Sequence, residues 1–429
     1  MATTNNELTN NSEAPVRNII LIGGFFFIFG FISWINATLI PYLKIACELE
    51  EWQAYLVTFA FYISYTVMAI PSSGILKRSG MVKGMSIGLG TMAAGCLLFI
   101  PAALVRNYGI FLGGLFLTGA GLTLLQTAVN PYITLLGPAR TAARRISMMG
   151  VCNKVAGILA PLIMGSIILS NSEGLIEQLA AMDPAAKKIR LDELARDVIV
   201  PYCIIAGILL ILAILIRFAH LPEIKQEEET VLRSADKTVP SSRVTLAMTG
   251  GFLAIFCAVG AEVLAGDTIG NYGLYQGFDL NTSKTLASYT LACMMVGYIA
   301  GILAIPRFIS QQKAFYWSSW LGLGLVVMIL VLPGKYSIVC VALLGLGNAM
   351  LWPAIWPQAL RGLTGAQLAR GSAVLIMGIA GGALLPLLYG WLTGVSGNQI
   401  AYWILIPVYV FLIYYSFTGL KQPSSALKN

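Results

Sequence analysis

The strongest constraint in this sequence is a succession of apolar runs, each about as long as a bilayer-crossing helix. A hydrocarbon core of about 30 Å takes about 20 residues of helix. Windows of that size without a charged residue occupy 18–43, 52–76, 84–105, 107–139, 198–216, 285–306, 314–334 and 336–360. A longer window, 371–420, has room for two helices divided by the turn VSGNQ at 395–399. Two more spans, at about 146–170 and 244–272, are interrupted only by Lys154 and by Glu262 and Asp267. Twelve helices result. The runs lack the period-2 alternation of a transmembrane barrel, so the fold class is all-α and polytopic. Only 11% of the residues are charged, against about 25% in a soluble domain.

Lys and Arg set the expected orientation. They gather in alternate connections, among them Lys77, Arg78 and Lys83, then Arg140, Arg144 and Arg145, and the segment 217–243. Both termini are thereby expected in the cytoplasm of a bacterial inner membrane. The N-terminal stretch lacks the basic region and cleavage site of a signal peptide, so the first apolar run is expected to remain as a helix. The expected organisation is a tail at 1–17, a six-helix bundle at 18–220, a charged linker at 221–243, a second bundle at 244–420 and a tail at 421–429. Residues 171–200 are expected to form short amphipathic helices on the outer surface.

The seven cysteines show no paired spacing and the single histidine, His220, stands alone, which argues against a disulfide framework or a metal cluster. The Walker and HExxH patterns are absent. The expectation is a protein that is not an enzyme, carries no cofactor, binds no nucleic acid and is a monomer.

The two halves repeat. RRISMMGVCNKVAGILAPLIMG (144–165) aligns with ARGSAVLIMGIAGGALLPLLYG (369–390), placing Arg145 on Arg370, Gly157 on Gly382 and Pro161 on Pro386. GLTLLQTAVNP (121–131) lies over GNAMLWPAIWP (347–357), and FGFISWINATLIPY (29–42) over VGAEVLAGDTIGNY (259–272). Two equivalent bundles that rock about a midplane site are a transporter's architecture.

NATLIPYLK (36–44), GILKRSGMVKG (74–84), LLQTAVNPYITLLGP (124–138), and AVGAEV with LGNAMLWPAIWP resemble the Major Facilitator Superfamily, in its fucose and glucose/galactose symporter branch. The resemblance implies two pseudo-symmetric six-helix bundles and sugar–cation symport by alternating access. Fucose-type members resemble LNDxLxP in the first helix and LETAANP in the fourth, with both acids tied to proton coupling. Here those positions are Ala37 and Gln126. The second bundle instead holds Asp267 where the repeat pairs it with Ala37.

Acids and lysines inside membrane helices are costly and tend to mark ion or substrate paths. Glu262 and Asp267, five residues apart, point about 140° from each other on a regular helix. Asn271 shares the face of Asp267, and Gly266 and Gly270 make local unwinding cheap. The expected cation site is therefore Asp267 with Thr268, Asn271, Glu262 and freed carbonyls. Sodium is favoured as the ion, at Asp267, because the two proton-carrying acids of relatives are gone; a proton on the same carboxyl is the alternative. A neutral monosaccharide is expected to meet Gln126, Asn130, Asn153, Lys154, Glu262, Asn271 and Asn348 through polar groups. Trp352 and Trp356 are expected to stack on its apolar face. Another small polar solute, such as an amino sugar or polyol, is the alternative substrate.

Overall fold

A computed structural model describes residues 16–135, 142–168, 175–218, 241–305, 308–360, 371 and 374–421. Twelve helices among them are long and apolar enough to cross a membrane. Spans 1 to 5 are Ile19–Ala46, Leu56–Leu76, Met81–Leu104, Tyr108–Val129 and Met148–Ile168. Span 6 is Ile199–Phe218. Spans 7 to 12 are Met248–Tyr275, Leu280–Ala304, Gln311–Val331, Lys335–Trp356, Val374–Ser396 and Ile400–Thr418. The expected linker and both expected tails lie almost wholly outside the described residues, as do the side chains of Arg145 and Arg370.

Each span is apolar on its outer face as well as its inner one, as a lipid solvent allows. Along span 6, Val200, Ile204, Ile208, Ile211 and Leu215 are all more than half exposed, while Tyr202, Ala206, Leu209, Ala213 and Ile216 are buried. The segment before it forms two short helices, Leu175–Ala181 and Pro184–Arg196. Asp183 caps the second by accepting from the Ala185 and Ala186 amides, with Pro184 in its first turn, where its missing N–H is no loss. Tyr42 of span 1 donates to the Leu194 carbonyl and fastens this layer to the bundle.

Apolar burial drives little association between helices in lipid, so close backbone approach has to do more of it. A Cβ at Gly30 would lie 2.0 Å from the Asn153 carbonyl oxygen, which locks span 1 onto span 5. In the second half a Cβ at Gly381 would lie 1.9 Å from the Phe256 oxygen, locking span 11 onto span 7. The repeat thus uses the same pair of helices in both halves, with the glycine moved to the other partner.

Span 1 is divided into Val16–Trp34 and Asn36–Ala46, with Ile35 between them. Pro41 lies inside the second piece and offers no donor to the carbonyl one turn earlier, which weakens that stretch. Span 7, its counterpart, is a single helix over Ser241–Tyr275. The local unwinding expected at Gly266 and Gly270 is absent. Both glycines serve close approach instead: Trp34 packs on Gly266, and the Ser283 and Ala37 carbonyls lie over Gly270.

Candidate functional site

Glu262 and Asp267 project from span 7 in directions that differ by about 140°, and each meets a different helix of the first bundle. Glu262 Oε1 lies 2.7 Å from Lys154 Nζ of span 5. Asp267 Oδ2 accepts from Thr58 Oγ1 of span 2 at 2.7 Å. Five residues of helix separate them by about 7.5 Å along the axis.

The two environments are unlike. Asp267 and Thr58 are completely buried, and Asp267 Oδ1 has no hydrogen-bond partner. Asn271, one turn further on the same face, is buried with neither amide atom partnered. A buried carboxylate with one hydroxyl for company is stable only when its charge is cancelled by a proton or a cation. Lys154 is buried, whereas the Glu262 side chain is 16% exposed. Its Nζ also stands 5.2 Å from the Trp34 ring centroid and 5.8 Å from that of Tyr298.

Beyond Asp267 toward the end opposite the termini, the two halves are tightly joined. Tyr55 meets Tyr389 edge-on at 5.6 Å, Tyr389 packs on Tyr402 at 4.8 Å, and Tyr402 on Tyr272 at 5.2 Å. A Cβ at Gly390 would strike Tyr55, and one at Gly165 would press on Lys284. These contacts close that end of the molecule over Asp267.

The remaining candidates divide. The Thr268 hydroxyl bonds the Leu264 carbonyl at 2.6 Å and Tyr402 Oη at 2.7 Å, so its described partners are on its own half and do not include Asp267. Gln126 Nε2 donates to Tyr65 Oη at 3.1 Å, and Asn153 Nδ2 to the Phe26 carbonyl at 3.3 Å; both side chains are part-exposed. Asn348 is buried, its Oδ1 accepting from Tyr409 Oη at 2.7 Å and its Nδ2 unpartnered. Trp352 and Trp356 stack on each other at 5.3 Å and remain part-exposed. Asn130 lies on a helix, and its side chain falls outside the described residues. Among the described residues no group of three or more His, Cys, Asp or Glu could hold a metal ion. Tyr409→Phe would leave both Asn348 amide atoms orphaned, and a thermal melt of the purified protein is expected to show a loss of about 1–3 kcal/mol.

Thr58, Tyr55 and Trp34 are not among the sequence candidates. Each meets the other bundle from a position that no local pattern marks.

A sequence profile of the Major Facilitator Superfamily matches residues 21–356. The "Glucose/galactose transporter" of Brucella abortus biovar 1 (strain 9-941) is 32% identical over 92% of this chain and 92% of its own length. The "L-fucose-proton symporter" of Escherichia coli (strain K12) is 27% identical over 96% of this chain and 95% of its own. Among solved structures, the transporter FucP in the outward conformation superposes with a TM-score of 0.70, at 26% identity, over 95% of this chain and 99% of that one. These proteins are transporters, not enzymes. With twelve spans in two matching bundles and a profile match across most of its length, this chain belongs to the Major Facilitator Superfamily.

Proposed function

We propose that this protein imports a neutral, hexose-like monosaccharide across the bacterial inner membrane, in symport with a cation. In this reading residues 18–220 and 244–420 are the two moving bundles, joined by a cytoplasmic linker at 221–243, with both termini in the cytoplasm. The closed end is then external, and the structure is a state shut to the outside. The sugar reading draws support from the names of the two curated relatives and from the Lys154–Glu262 pair, whose Glu262 side chain stays part-exposed.

The observation that carries coupling is the bond across the bundles between Thr58 and a fully buried Asp267. When the external end opens, that bond breaks and the carboxylate meets water. Closing again requires that its charge be cancelled, so the bundles close readily only with a cation aboard. By linkage, the sugar and the cation each tighten the binding of the other.

Two observations favour the proton over the sodium expected from sequence. Span 7 is unbroken and frees no carbonyl, and Thr58 supplies the only hydroxyl bonded to Asp267 among the described residues. A hard metal cation takes a shell of several oxygens, whereas a proton needs the carboxyl alone. The relative whose name states an ion is a proton symporter. Sodium is the second reading, favoured by the unpartnered Asn271 amide one turn from Asp267.

Proteoliposomes with pH and sodium gradients imposed separately test this. Labelled hexose is expected to accumulate when the outside is acidic and to be indifferent to sodium. Accumulation driven by sodium alone selects the second reading, and indifference to both gradients rejects symport. Competition by amino sugars and polyols in the same vesicles tests the substrate class.

A further inference from the structure

A buried ion pair such as Lys154–Glu262 is a weak source of stability. Apolar residues of similar volume usually match or exceed the stability of a buried ion pair. Yet the pair joins the two bundles at 2.7 Å from positions 108 residues apart in sequence. Its two members are unequally covered. Lys154 is held by Glu262 of span 7 and by the ring faces of Trp34 of span 1 and Tyr298 of span 8. The Glu262 side chain keeps part of its surface open, and Gln126 of span 4, Asn153 of span 5 and Trp356 of span 10 are part-exposed as well.

We infer that the Lys154–Glu262 pair sets the charge selectivity of the cleft, keeping it neutral so that it admits uncharged polyhydroxy compounds and refuses sugar acids and protonated amino sugars. The inference rests on the sugar reading given above. A hydroxyl group can donate to Glu262 and accept from Lys154, so a neutral sugar engages both without parting them. A carboxylate drawn to Lys154 meets the Glu262 charge beside it, and an ammonium drawn to Glu262 meets Lys154. Either ion gives up its hydration and finds no net opposite charge in return. Removing one member of the pair converts the neutral site into a charged one that welcomes the opposite ion.

Binding, rather than transport, is the readout, because it survives in a variant that no longer cycles. Purified full-length protein is assayed for equilibrium binding of labelled glucose or galactose, D-glucuronate, and D-glucosamine at pH 6. The unaltered protein is expected to bind a hexose and neither charged sugar. Glu262→Gln is expected to bind glucuronate at least about tenfold more tightly than the unaltered protein does, the change expected of one charge-assisted hydrogen bond. Lys154→Met is expected to gain glucosamine in the same way, and the exchange Lys154→Glu with Glu262→Lys to refuse both again. Folded single variants that gain neither charged sugar overturn the inference, whether or not they keep the hexose. Should one variant fail to fold, the reciprocal one decides alone. An unaltered protein that binds no hexose overturns the sugar reading instead, and one that already binds glucuronate or glucosamine as well as hexose overturns the selectivity.

Discussion

Replacing Asp267 with asparagine is expected to abolish uphill sugar uptake while leaving exchange of labelled for unlabelled sugar intact. Asparagine has the shape of aspartate, and its carbonyl oxygen can accept from Thr58 as the carboxylate does now at 2.7 Å. The closed end, external in the proposed orientation, can therefore still form, and the bundles can still alternate. What asparagine cannot do is gain or lose a charge. Moving one elementary charge across 100 mV is worth about 2.3 kcal/mol, enough for about fifty-fold accumulation. The accumulation ratio in energised vesicles is expected to fall from that order to about one. Counterflow under equal sugar on both sides is expected to stay within about threefold of the parent rate. A variant that still concentrates sugar in response to a gradient would remove Asp267 from coupling and return attention to Glu262.

How far such a site could be read in advance depended on whether its residues announce themselves locally. The spans were legible because twenty apolar residues in a row have few other uses, and even Lys154, Glu262 and Asp267 did not hide the two spans they interrupt. Those three residues were legible as candidates for the same reason, since a charge inside an apolar run is costly. Their partners were not. Thr58 lies 209 positions from Asp267, and nothing in its neighbourhood distinguishes it from a threonine that bonds its own helix, as Thr118 and Thr123 do. The tryptophans one turn apart at 352 and 356 stand out in sequence as a candidate sugar platform, but the sequence does not show that they stack on each other while staying part-exposed. Glycine was the least legible residue. Gly266 and Gly270 looked like permission to unwind span 7, yet a glycine equally permits another group to come close. Here both are in close contact and the helix is unbroken.

The same ambiguity gives Gly266→Ala a large and selective expected effect. Trp34 ends the first piece of span 1, and its indole is wedged between Gly157 of its own bundle and Gly266 of the other. A Cβ at Gly157 would lie 2.6 Å from Cδ1, and one at Gly266 2.3 Å from Cζ3. The ring is 3% exposed and packs with Ala160 and Leu291, so it has little room to retreat. Overpacking of this kind costs about 1–3 kcal/mol. For Gly157→Ala the main clash, with Trp34, lies within one bundle, and only the looser 3.2 Å approach to Leu291 involves the other, so a lower melting temperature is the main expected result. For Gly266→Ala the cost exists only while the external end is closed, because opening carries residue 266 away from Trp34. The same free energy then becomes a bias between states, worth about fivefold to 150-fold in their ratio. A cysteine introduced at Ala37, which is 5% exposed on the second piece of span 1, reports the change in a background without native cysteines. Its labelling by an external, membrane-impermeant maleimide is expected to rise at least about fivefold with Gly266→Ala and to rise clearly less with Gly157→Ala. Equal labelling in the two variants would mean that Trp34 keeps its contact with Gly266 throughout the cycle. The hinge between the bundles would then lie on the external side of this point, and Asp267 would open to the outside by some movement other than the parting of spans 1 and 7.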